Sequence, residues 1–223
     1  MNFSLTYIFE VLPAVLKFVP MTIFLSVVSM FFAIIIGLIV ALGKRSQLPV
    51  LPQLAALYIS LFRGMPTLVQ LFIIYYGLPQ LFPAMTNLEA SQAAIIGFSL
   101  KESSYLAEIF RAGLDSVDKG QMEAGLSVGM KKTAIYARII LPQATINALP
   151  ATGNTFISLI KESSLAFTLG ITELFAEGKM IAASTMRFFE TYLVVGLVYW
   201  LLILIYSYFQ RMLEAKLNAP YRR

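Results

Sequence analysis

Lys101, Glu102 and Glu108 stand within residues 89–113, EASQAAIIGFSLKESSYLAEIFRAG, a stretch that is apolar at both ends. An ammonium group at membrane depth is costly unless it is paired or wet. Lys101 can therefore meet the carboxylate of a passing solute, or be neutralised by Glu102 or Glu108. Neighbours on a helix do not face each other well, which weakens the Glu102 pairing. Ser103 and Ser104 follow directly, and Asn154, Thr155 and Ser158 interrupt a later apolar stretch. Polar groups of this kind suit a polar solute crossing hydrocarbon.

Catalysis finds little support. The chain has no Cys and no His, which removes disulfides, thiolate metal sites, a cysteine nucleophile, an HExxH zinc site and a Ser–His–Asp triad. Glu102 and Glu108, two turns apart on one helix, suit a lined path as well as an acid–base pair. The nearest approach to GxxxxGK[ST] is Gly37 to Gly43-Lys44. It has five intervening residues and ends in Arg45, so nucleotide chemistry belongs to another chain.

The elements that must position these residues follow from charge spacing. Of 223 residues, 58% are hydrophobic and 13% charged, about half the charge of a soluble domain. Uncharged runs of 26, 25, 22 and 20 residues separate Lys17 from Lys44, Arg63 from Glu89, Arg138 from Lys161, and Glu190 from Arg211. About 20 apolar residues cross the roughly 30 Å of hydrocarbon. Residues 89–113 supply a fifth crossing, with Ala93, Ile96, Leu100 and Ile109 at helical spacing. The expectation is an all-α, polytopic protein forming one transmembrane domain over 1–223. Its spans run over about 18–43, 54–80, 89–113, 138–160 and 190–212.

With the N-terminus outside, twelve Lys and Arg fall on the inner side: Lys44, Arg45, Arg63, Arg111, Lys119, Lys131, Lys132, Arg138, Arg211, Lys216, Arg222 and Arg223. Lys17, Lys161, Lys179 and Arg187 fall outside. This bias predicts N-out and C-in. It also explains the net charge of +5 without nucleic acid. No basic n-region precedes the first span, so that span is expected to be retained. Ala33, Gly37 and Ala41 make a small-residue stripe for close packing within the bundle. Pro66, Pro142 and Pro150 predict kinks. Tyr192, Tyr199 and Trp200, and nearer the inner face Tyr206 and Tyr208, are candidate interfacial anchors.

Residues 114–137 form the longest cytoplasmic connection, with Asp115 and Asp118 as candidate caps of a helix beginning near Lys119. Met122, Leu126 and Met130 would share one face of it. Such a helix can lie on headgroups, pack under the bundle, or enter a groove on a partner.

Glu123-Ala124-Gly125, Gly129, Ile139, Leu141 and Pro142 match EAA–x3–G–x9–I–x–LP, with Gly125 for the usual second Ala. This pattern resembles the signature of permease subunits of ATP-binding-cassette importers. Arg63-Gly64-Met65-Pro66, followed by Gln70, Tyr75 and Tyr76-Gly77, resembles the RGTP element of the polar-amino-acid branch. Tyr105–Arg111 is similar to AY-x-AEIFR. Leu149-Pro150-Ala151, Asn154 and Phe156–Leu165 resemble LPxxxNxFISLxKDTSL. Together these cover about 55–165.

The resemblance implies a type I importer permease fold with a cytoplasmic coupling helix. It also implies a second permease subunit, identical or homologous, an ATPase dimer that holds ATP and Mg, and an extracellular solute-binding protein. Glu123 would dock the ATPase, with Gly129 allowing close approach. The substrate path would draw on Lys101, Glu102, Ser103, Ser104, Gln70, Asn154, Thr155 and Ser158. The family usually has an uncharged polar residue at Lys101, and some basic-amino-acid permeases carry a carboxylate at Thr155. Both departures favour a neutral, polar or dicarboxylic cargo. The segments Phe62–Pro79 and Phe156–Leu165 look nearest to L-cystine permeases, with glutamine or glutamate as alternatives. An ion-driven transporter or channel shares the buried charges but has no need of the cytoplasmic helix.

Overall fold

The computed structural model describes residues 3–219. Arg222 and Arg223, two of the cations counted on the inner side, lie outside the described residues. The chain is helical, with no strand among the described residues. In order, the helices are α1 Leu5–Leu16, α2 Val19–Lys44, α3 Val50–Gly64, α4 Thr67–Phe72, α5 Leu78–Leu81, α6 Ala90–Asp115, α7 Lys119–Ser127, α8 Lys132–Ile135, α9 Leu141–Glu162, α10 Leu174–Thr185 and α11 Phe188–Asn218. Among the described residues, α2 and α11 are each long and apolar enough to cross a bilayer. The pair formed by α3 and the α4–α5 segment makes a third if it is counted as one span.

The bundle is organised on α6. A capping box starts it, in which Gln92 Oε1 accepts from the Glu89 backbone N–H at 3.2 Å. The stripe of Ala33, Gly37 and Ala41 on α2 is fully buried against it. A Cβ at Gly37 would stand 2.9 Å from Leu106 Cβ and 3.1 Å from Ser103 O, so only hydrogen allows this backbone approach. Leu25, Leu71, Phe98, Leu106 and Leu159 fill the space where α2, α4, α6 and α9 meet. The stripe thus packs within the bundle, as its spacing predicts.

The expected second span is broken. The chain bends by 106° between α3 and α4, where one helix over 54–80 was anticipated. Pro66 bars the residue before it from helical geometry, and Met65 is extended at φ −101°, ψ 135°. Such a break frees carbonyls that hydrocarbon cannot satisfy. Gln70 closes them: its Nε2 donates to Phe62 O at 3.0 Å and Met65 O at 2.8 Å.

Two further prolines are absorbed differently. The backbone forms single π-turns over Ile73–Gly77 and Tyr136–Ile140, each followed by Leu-Pro. In each, the leucine N–H bonds a carbonyl five residues back, Ile73 O for Leu78 and Tyr136 O for Leu141. A proline ring clashes with the carbonyl four residues earlier, and widening one turn relieves it.

α1 and α10 were not anticipated, being too short to register as spans. They close on α11 through Val11, Val15, Leu174, Val194, Val195 and Val198. Glu173 is fully buried at this corner and caps α10, accepting from Phe175 N at 3.0 Å and Ala176 N at 2.8 Å. Tyr199 donates to it at 3.0 Å and Thr22 at 3.2 Å. Tyr199 is therefore an interior hydrogen-bond donor, which corrects its reading as an interfacial anchor.

Candidate functional site

Two places collect the residues singled out by sequence. The first is at mid-depth on α6. Lys101 and Glu102 are buried, at 8% and 2% exposure. Lys101 Nζ donates to Glu102 Oε1 at 3.1 Å and to both carboxylate oxygens of Glu162 at the end of α9. Thr67 Oγ1, opening α4, donates to Glu162 Oε2 at 3.2 Å. The junction ties α4, α6 and α9 through one carboxylate.

Lys101 is neutralised by its own chain. Glu102 is a partner despite adjacency, because the long lysine stem turns back past the helix surface. Glu108 is not a partner: it binds Lys44 and Arg111, the latter through Nε at 3.0 Å. Glu162 was not anticipated, since counting from the helix ends separates the two residues. The registration of α9 on α6 explains the meeting. Gly113 abuts Ala144 and Ala148, so the first turn of α9 hangs below the inner end of α6. From that contact Lys101 lies roughly 18 Å up α6 and Glu162 roughly 24 Å up α9, a gap a lysine stem spans.

The expected path residues do not converge on one recess. Ser103 and Ser104 are fully buried and bond carbonyls of their own helix, at Leu100 O (2.8 Å) and Lys101 O (2.6 Å). Ser103 Oγ also meets Tyr58 Oη at 2.7 Å. Gln70 is spent on the α3–α4 break. Thr155 is buried and donates to Ala151 O at 3.1 Å. Asn154 is exposed on the opposite side of α9, with Ser158 half-buried one turn on.

Arg63 belongs to this level. Its guanidinium carbon lies 5.0 Å from the centroid of the Tyr105 ring, and Lys101 Nζ lies 5.5 Å from the same ring. Tyr105 is ten residues from the end of α6, or roughly 15 Å. Arg63 therefore sits well inside the bundle's length, which corrects its place among the inner-surface cations.

The second place is the inner end. Asp118 caps α7, accepting from Gly120 N at 2.6 Å. Asp115 does not cap it: it ends α6 and pairs with Arg45 and with Arg111 Nη1, the latter at 2.7 Å. Glu123 and Ala124 are exposed on α7, while Gly125 is buried. A Cβ at Gly125 would stand 2.7 Å from Ile135 Cδ1 and Cγ1, so the glycine serves packing onto α8. The helix ends at Ser127, so Met130 does not extend the Met122–Leu126 face as expected. Gly129 has φ +78°, Gly129 N bonds Leu126 O and Met130 N bonds Gly125 O, each at 3.0 Å. This is a Schellman stop. Nothing stands near a Gly129 Cβ, so the glycine supplies left-handed backbone here. Ile139 and Leu141-Pro142 lie where the second π-turn meets α9. Beside α7, a cavity of about 570 Å³ is lined by Arg45, Asp115, Asp118, Met122, Glu123 and Tyr136.

Comparison with known proteins gives this arrangement its context. The family model described as binding-protein-dependent transport system inner membrane component matches residues 33–219. The chain is 59% identical over 216 residues to a probable amino-acid permease, YxeN of Bacillus subtilis (strain 168), covering 97% of this chain and 96% of that one. It is 35% identical to TcyL of the same organism, an L-cystine transport system permease protein, over 99% and 94% of the two chains. A chain from the crystal structure of an amino acid ABC transporter with histidines superposes with a TM-score of 0.87 at 34% identity. That match covers 97% of this chain and all of that one. With nearly its whole length from the stripe on α2 to the end of α11 matched, the chain belongs to the family of binding-protein-dependent transport system inner membrane components.

Proposed function

We propose that this chain is the permease of an ATP-driven importer of a polar amino acid, and that α7 is its coupling helix. The observation that carries the reading is α7 itself. It is a capped, nine-residue helix stopped by a Schellman turn, with Glu123 and Ala124 exposed and Gly125 held against α8. Helix-in-groove docking needs such a rigid, protruding element. In this reading an ATPase dimer, carrying ATP and Mg, receives Glu123 and Ala124. Ile139, Leu141 and Pro142 transmit the motion to α9 as a two-state switch.

Five crossings, N-out and C-in, are assigned to α2, the bent α3–α5 segment, α6, α9 and α11. At 26 residues α6 is roughly 39 Å long, enough to span despite its charges. Asn154 and Ser158 lie along α9 on a side the chain leaves uncovered or half-covered, which supports a second permease subunit across a polar path. A solute-binding protein would deliver cargo from outside.

L-cystine is the first substrate to test, with glutamine and glutamate next. Thr155 offers no carboxylate for a cationic side chain, and an L-cystine permease is among the relatives. Uptake of radiolabelled L-cystine by the native host, with and without this gene and against unlabelled cystine, glutamine and glutamate, tests it. Loss of uptake competed by cystine alone is the expected result. Loss of another amino acid's uptake instead would retain the importer and replace the substrate. Unchanged uptake of all, with no ATPase co-purifying, would leave an ion-driven transporter.

A further inference from the structure

We infer that Arg63, and not Lys101, receives the carboxylate of the passing amino acid, with Glu162 facing its ammonium group. The inference rests on the importer reading above and names the charges that reading would use. Five charged groups lie at this level: Arg63, Lys101, Glu102, Lys161 and Glu162. Lys101 is closed off, buried and bonded to both carboxylates. Lys101 and Glu102 cancel each other and hold Glu162 in place. Arg63 is the cation that shares Tyr105 with Lys101 and has no carboxylate partner among the described residues, and with the exposed edge of Glu162 it offers one charge for each charge of a zwitterion.

Arg63 is exposed, and no carboxylate among the described residues forms an ion pair with it. Its one close partner is the Tyr105 ring, which leaves the N–H fork free to bind a carboxylate bidentately. A guanidinium at this depth cannot stand in hydrocarbon, so its exposed side must face water or protein. It lies three residues before Pro66, beside the 106° break between α3 and α4. Glu162 keeps about 30% of its side chain exposed, against 3% for Glu102, so it alone of the two carboxylates can be reached. The Arg63 and Lys101 heads share Tyr105 as neighbour and so lie within about 11 Å of each other. Lys101 in turn bonds Glu162, so the Arg63 and Glu162 heads lie within about 13 Å of each other, and an amino acid held by two charge-assisted hydrogen bonds bridges about 9 Å.

The test uses the full importer in the native host, with the deletion strain complemented by Arg63→Gln, Arg63→Lys, Glu162→Gln and the Arg63→Gln/Glu162→Gln pair. Uptake of labelled cystine, glutamine and glutamate is measured at saturating external concentration and normalised to permease in the membrane. Arg63→Gln should lower the maximal rate at least tenfold. Arg63→Lys, which keeps charge but loses the fork, should fall severalfold less, and the double variant should be no slower than the worse single one. In the purified permease–ATPase complex, ATPase stimulation by the transported amino acid is compared with that by its carboxamide. The wild type should respond to the acid alone, and Arg63→Gln should no longer distinguish the two.

Wild-type rates in Arg63→Gln would overturn the inference. So would equal losses in Arg63→Gln and Arg63→Lys with acid-over-amide discrimination intact, because that pattern marks a structural contact. If the complemented deletion strain takes up none of the three amino acids better than the deletion, the importer reading fails first.

Discussion

Lys101 on α6 and Glu162 at the end of α9 form an ion pair across two antiparallel helices, and Glu102 binds the same ammonium from the side. One cation thus binds two carboxylates inside the bundle while Thr67 ties the second of them to α4. The junction sits beside the break in the α3–α4 pair and holds its far side to the rest of the fold.

Removing the cation should be worse than removing the whole set. Lys101→Met leaves two carboxylates facing each other, and breaking a buried pair costs about 3–5 kcal/mol. The single variant should unfold at lower temperature in detergent and accumulate less in the membrane. Lys101→Met combined with Glu102→Leu and Glu162→Gln should recover at least half of that loss. A triple variant no more stable than the single one would assign the effect to lost packing of the lysine stem.

Gln70→Leu should destabilise the chain although leucine is the more apolar side chain. It removes both donors that cap Phe62 O and Met65 O at the break. Leaving buried carbonyls unpaired costs about 1–3 kcal/mol each. Thermal unfolding of the solubilised protein measures it, and an unchanged midpoint would show that the break is satisfied some other way.

Gly125 and Ile135 should be coupled. Gly125→Ala places a methyl group 2.7 Å from two Ile135 atoms, so it should lower stability by about 1–3 kcal/mol. Shortening the neighbour in Gly125→Ala/Ile135→Val should return part of it. A double-mutant cycle on unfolding midpoints reads the interaction, and strict additivity would sink the contact.

Glu123 and Gly129 should separate docking from helix shape. Glu123 is exposed, so Glu123→Ala should leave unfolding unchanged while uptake is lost. Gly129→Ala forces a Cβ into left-handed backbone, costing about 1–2 kcal/mol, and Gly129→Asn should cost less. Normal uptake by Glu123→Ala would remove the coupling reading of α7.

Much of this protein was legible in its residues because hydrocarbon imposes simple rules. Long uncharged runs located α2, α9 and α11, and helical spacing located α6. The Ala33–Gly37–Ala41 stripe announced a close helix contact, and Asp118 announced the start of α7. These are local signals, carried by adjacent residues on one helix.

What failed was of another kind. The second span was read as continuous because hydropathy does not register a 106° bend at Pro66 that an amide 4 residues later can satisfy. The partner of Lys101 was sought on its own helix, since nothing in the sequence reports how far α9 slides along α6. Gly113 against Ala144 sets that slide, and with it the meeting of Lys101 with Glu162. Arg63 was counted at the inner surface because charge counting follows chain order and does not report that its guanidinium packs on Tyr105. Local residue patterns were enough to locate α2, α6, α9 and α11 and to say which charges must be accounted for. Only the tertiary structure decided which charges cancel and which remain to meet a solute, because electrostatic pairing depends on distance across helices, and distance across helices is set by packing.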